Sequence, residues 1–138
     1  MARTISRWVL TGMALAWAAT ASAQVVNPRT LEFIASVDHD VTQSGQALVT
    51  TYEARWYATG ATAPLSVTFL GKPTPEPTSR RIIVDVAATI LAIPIGTGYV
   101  CRVAAIGPGG EGVSDPSAPF GVAVRSPAGP TNAVLRNP

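Results

Sequence analysis

The chain is written largely in period two. From Thr30 to Ser36 the apolar Leu31, Phe33 and Ala35 share one parity, set against Glu32 and Ile34, which is the pattern of a strand with one buried side. Leu48 to Ala58 alternates most clearly, placing Tyr52, Ala54 and Trp56 on one side and Glu53, Arg55 and Tyr57 on the other. Gly60 to Pro64 is a turn, and Leu65 to Leu70 returns as a further strand. Prolines at 73, 75 and 77 then remove ladder donors, so Gly71 to Pro77 is expected as an exposed, partly polyproline connection. Arg81 to Val86 is again β-rich, and Ala87 to Ala92 suits a short helical turn before Ile93-Pro94. In Tyr99 to Ile106 the side chains of Tyr99, Cys101, Val103 and Ala105 fall on one face and Arg102 on the other. Gly107-Pro108-Gly109-Gly110 is a hairpin turn, and Gly112 to Val124 is the returning strand. Val37 to Ala47 is a polar, irregular connection, and Ser126 to Pro138, with three prolines and little apolar content, is expected to be a mobile tail. Short strands at roughly 8–12-residue spacing with turns between them predict an all-β sandwich.

The stretch from Ile93 to Pro116 carries a more specific signal. Ile93, the turn at Gly96-Thr97, the series Tyr99, Cys101, Val103 and Ala105, the glycines from Gly107 to Gly112, and Ser114 with Pro116 follow one another in order. This order resembles the last two strands of a fibronectin type III domain. Val49 to Arg55 resembles that family's third strand, and Leu31-Glu32-Phe33 its second, with Phe33 where the family carries a buried Trp. The first strand has only Gln24 to Arg29 available, so it is expected to be shortened. The resemblance implies a fibronectin type III-like (immunoglobulin-like) antiparallel β-sandwich, with adhesion or interaction as its general role. Tyr99 suits the tyrosine corner, in which the phenol bonds backbone a few residues upstream.

Residues 1 to 23 have the form of a secretory signal peptide: Arg3 and Arg7, an apolar segment from Trp8 to Ala19, then Ala21-Ser22-Ala23. The apolar segment is shorter than the roughly 20 residues a spanning helix needs. A retained N-terminal anchor is the alternative to cleavage. Secretion or the periplasm is the expected location, with no membrane span once the leader is removed. The full chain has ten basic against eight acidic side chains. Arg3 and Arg7 leave with the leader, so the remainder is balanced and electrostatic capture of nucleic acid is not expected. Residues 24 to 125 form one domain by length, and 126 to 138 the tail. Cys101 is the sole cysteine, so no internal disulfide forms, and its parity marks an inert core thiol.

Reactive chemistry is sparse. His39 is the one histidine, and no nucleophile elbow, phosphate-binding loop or dinucleotide fingerprint is present. No catalytic residue, metal ligand or cofactor is therefore assigned, and the chain is expected not to be an enzyme. Asp38-His39-Asp40 has metal-ligating side chains, but a closed site needs four or more ligands; the expectation is a solvated loop whose aspartates cap turn amides. Glu53, Arg55, Tyr57 and Arg102 are the candidate binding face, because the outward sides of the third and penultimate long strands should adjoin. Tyr99, Phe33, Trp56 and Cys101 are assigned to structure. The expected function is a non-catalytic binding or scaffolding module whose partner is a protein or cell-envelope component. The alternative is a carbohydrate- or small-ligand-binding accessory module, which requires an exposed Trp56. Gly129 to Leu135 resembles the opening of a strand and is a candidate to pair with a free sheet edge.

Overall fold

The computed structural model describes residues 24–137; the expected leader, residues 1–23, lies outside them. The described chain is mostly β with several sheets. In order the elements are β1 (Val25–Val26), β2 (Thr30–Ile34), β3 (Thr42–Gln43), β4 (Gln46–Ala47), β5 (Thr51–Tyr57), β6 (Ser66–Gly71), β7 (Arg81–Asp85), α1 (Ala87–Ala92), β8 (Gly96–Gly107), β9 (Gly110–Val113) and β10 (Phe120–Val122). The main sheet runs β1-β10-β8-β5-β6, with β9 pairing the distal half of β8. β2 and β7 form a separate antiparallel pair, and β3 and β4 a small hairpin. The short first segment joins β10 in parallel, Val25 opposite Phe120.

Two apolar clusters fill the space between the main sheet and the β2–β7 pair. Trp56, Cys101, Tyr99, Phe120 and Val122 from the main sheet meet Val86, Ile90 and Ile93 around α1. Tyr52 meets Ile82, Ala35 and Val49 in the second, with Phe33 packed against them. The Phe33 and Tyr52 rings are tilted at 5.3 Å, and Phe120 stands edge-on to Trp56 at 5.7 Å. Burial alternates strictly along β5, so Tyr52, Ala54 and Trp56 are interior. The helical turn over 87–92 forms where its pattern predicts it. An Asp85 carboxylate accepts the Ala87 N–H at 2.8 Å, and Pro94 follows the C-cap residue Ile93, so the helix cannot continue.

Tyr99 lies 8% exposed in the core, and its hydroxyl donates to the Pro94 carbonyl at 2.8 Å. A Cβ on Gly96 would stand 2.9 Å from that hydroxyl, so the glycine leaves the space the phenol occupies. At the far end of β8 a Cβ on Gly107 would lie 1.8 Å from the Leu48 carbonyl oxygen. Backbone meets backbone there, and no side chain fits.

Several expectations are corrected. The stretch 112–124 is not one strand: β9 ends at Val113 and β10 begins at Phe120. Pro116 and Pro119 interrupt the ladder, and two serines repair it. Ser114 Oγ accepts the Val103 N–H and Ser117 Oγ the Cys101 N–H, each at 2.9 Å. Val37 to Ala47 is not wholly irregular, because Ser44 and Gly45 take left-handed conformations (φ 51° and 79°) that close the β3–β4 hairpin. The 71–77 connection is not fully exposed, since Pro75 is buried. On β8 the parity holds for Tyr99 and Cys101, but Val103 and Ala105 are half-buried, while Ala104 on the other face is fully buried. Ala104 lies between Glu53 of β5 and Val113 of β9 in register. Residues 123–137 have no regular structure and are exposed.

Candidate functional site

The β5–β8 register fixes what the outward face presents. Arg55 stands opposite Arg102, Tyr57 opposite Val100, and Glu53 opposite Ala104. Glu53, Arg55, Tyr57 and Arg102 are thereby gathered on one side of the main sheet, each half-buried. Arg55 organises the group. Its guanidinium grips both carboxylate oxygens of Glu111 on β9, Nη1 at 3.0 Å, and reaches Glu53 at 3.3 Å. That contact holds the Glu111 carboxyl below the usual carboxylate range and keeps Arg55 charged. A two-pronged pairing of this kind locks side-chain direction more than it adds stability, because exposed ion pairs are screened. Arg102 donates to the Ser114 carbonyl at 3.2 Å; among the described residues it forms no salt bridge.

β6 extends this face unexpectedly. Arg55 opposes Val67 and Glu53 opposes Phe69, so the apolar parity of β6 points outward with the charges. Phe69 is 73% exposed, Val67 51% and Leu65 42%. The inward parity is mixed: Leu70 packs against both core clusters, while Thr68 accepts the Trp56 indole N–H at 2.9 Å and lies 3.0 Å from the Thr89 hydroxyl. That hydroxyl chain satisfies an indole which is only 2% exposed. Exposed Val113 on β9 completes an apolar border around the central charges. Glu111, Val67 and Phe69 were not among the sequence-derived candidates. Glu111 reaches Arg55 across 56 residues, and only the pairing of Gly107 with Gly110 reveals it.

The Asp38-His39-Asp40 loop differs from its solvated expectation. His39 is 4% exposed, and its Nδ1 lies 2.8 Å from the Tyr52 hydroxyl, with the two rings stacked. The same hydroxyl accepts the Ser36 N–H at 3.1 Å. Burial pushes the Tyr52 phenol up and the His39 imidazolium down. The phenol and the imidazole Nδ1 share one hydrogen bond, whose direction follows the imidazole tautomer. Nε2 is 3.9 Å from Asp40, which is itself paired to Arg80 at 2.9 Å. Neither aspartate caps the turn; Ser36 Oγ accepts the Asp38 N–H. Among the described residues no group of three or more His, Cys, Asp or Glu side chains converges as a metal site would.

Cys101 is buried, and desolvation pushes its thiol up to about 12. It contributes to the floor of an apolar crevice of about 230 Å³ with Trp56, Leu31, Val86, Phe120 and Pro119. Ligand pockets usually span roughly 300–1,000 Å³, and the buried Trp56 offers no open ring for a sugar to stack on. Among the described residues no helix is long and apolar enough to cross a membrane. No family model matches the chain, and no curated protein or solved structure matches it.

Proposed function

We propose that this chain is an exported, non-catalytic binding or scaffolding module with a fibronectin type III-like sandwich, and that the outward face of β6, β5, β8 and β9 meets its partner. The fold reading is supported by the strand order, with the β2–β7 pair lying across the core from β10-β8-β5-β6. The Tyr99 to Pro94 bond, five residues upstream, also supports it. The parallel docking of β1 on β10, away from β2, is a departure within that scheme.

One observation carries the functional reading: the apolar parity of β6 lies outside, beside Tyr57, Arg55 and Arg102. A strand that exposes Val67 and Phe69 while only Leu70 of its apolar side chains packs inward loses burial that folding alone would favour. Tyr and Arg beside an apolar border have the composition of interface anchors. The partner is a protein or envelope component with a complementary apolar surface and an acidic group for Arg102. Culture fluid and envelope extract passed over the immobilised chain and over a Tyr57→Ala/Arg102→Ala variant test this. The expected result is one component retained by the native chain and lost by the variant. Identical retention on both would refute the assignment of the face.

A further inference from the structure

We infer that this protein pairs with a second copy of itself through the free edge of β6, the two strands running antiparallel about a two-fold axis. β6 closes one end of the main sheet, and among the described residues no strand lies on its far side. An edge strand presents unpaired N–H and C=O groups, and natural sheets blunt such edges with charge, proline or a bulge facing outward. From Leu65 to Phe69 this chain has neither charge nor proline; a register shift against β5 falls at Leu70, and Pro64 and Lys72 stand outside the strand.

The sequence of β6 is complementary to itself. With Thr68 on the axis, Val67 of one copy faces Phe69 of the other, and Phe69 faces Val67, on the outward side. Aromatic and β-branched residues form favourable cross-strand pairs. On the inward side Ser66 faces Leu70, where the register shift of β6 ends the regular pairing. Isologous pairing of this kind closes on itself and stops at two copies. The neighbouring charges do not oppose it, because on the outward face Arg55 and Arg102 balance Glu53 and Glu111.

The area argues for a reversible dimer. At 73% exposure, Phe69 offers about 110–180 Å² of the surface an aromatic side chain can bury. With Val67, Leu65 and the strand backbone, each copy covers on the order of 400–600 Å², at the lower edge of specific interfaces. The second copy is therefore held in a concentration-dependent equilibrium. Val67 and Phe69 belong both to this edge and to the outward face proposed above, so separate variants distinguish the two: Val67→Lys in sedimentation reads the dimer, and Tyr57→Ala/Arg102→Ala in retention reads the external partner.

Sedimentation equilibrium on the full chain, expressed with its own N-terminal segment and processed by the host, tests it. The native protein is expected to shift from monomer to dimer as concentration rises towards about 1 mM. Val67→Lys places a charge opposite Phe69 and is expected to weaken association about tenfold or more. Ile83→Lys, an equally exposed change on the β2–β7 pair, should leave it intact. Circular dichroism melts confirm that both variants fold. A native chain monomeric throughout, assembly beyond two copies, or a dimer weakened by Ile83→Lys and not by Val67→Lys would each overturn the inference.

Discussion

Replacing Tyr52 by Phe removes one oxygen and orphans two partners. The hydroxyl accepts the Ser36 N–H at 3.1 Å and lies 2.8 Å from His39 Nδ1. A buried group left without its partner costs about 1–3 kcal/mol. His39 is enclosed and takes the middle of that range, about 2 kcal/mol, while the half-buried Ser36 amide takes about 1 kcal/mol by partial access to water. The expected loss is about 3 kcal/mol, or roughly 12 °C in Tm for a domain of this size. Urea unfolding followed by tryptophan fluorescence and far-ultraviolet circular dichroism measures it. The pH dependence supplies an independent check. Burial lowers the folded-state pKa of His39 below its ordinary 6.5, outweighing the opposing field of Asp40, with Lys72 and Arg80 adding to the lowering. The unfolded chain therefore binds the proton first as pH falls, so stability is full above about 6.5 and declines as pH falls from there through the folded value. His39→Gln should abolish that decline. A loss below about 1 kcal/mol for Tyr52→Phe, or an unchanged acid-side slope in His39→Gln, would refute the account of this pair.

Tyr99→Phe breaks a single bond, to the Pro94 carbonyl, and should cost about 1 kcal/mol, clearly less than Tyr52→Phe in the same urea series. Cys101, buried and with its thiol pushed up to about 12, should resist an alkylating reagent at pH 8 in the native protein and react fully in guanidinium, as read by mass spectrometry. Gly107→Ala drives a Cβ into the Leu48 carbonyl and should destabilise by about 1–3 kcal/mol or more, whereas Gly109→Ala, where a Cβ meets nothing, should change the unfolding midpoint little.

The local periodicities were legible because they follow from one face being wet. β2, β5 and the first half of β8 sort their side chains as the alternation says, and Pro94 ends α1 where it must. The facing of β6 has a non-local cause. Leu65, Val67 and Phe69 look like a core face, but their register against β5 and the bond of Thr68 to the Trp56 indole turn them outward. Ala104 was missed because its burial comes from strands on both sides of β8, not from its parity. His39 was read as a solvated loop residue because nothing nearby in sequence announces Tyr52, 13 positions on, as its partner. The candidate face was legible as far as β5 and β8 reach; Glu111 and the β6 border depend on pairings that only the folded sheet defines.

The pairing of β5 with β8 carries the whole account, because a slip of one residue would exchange the Trp56–Cys101 face for the Arg55–Arg102 face. Cross-strand proton contacts in a nuclear Overhauser spectrum of the isotopically labelled protein measure that register directly. Contacts linking Arg55 with Arg102 and Trp56 with Cys101 are expected. Contacts displaced by one residue, such as Trp56 with Arg102, or none between these strands, would contradict it.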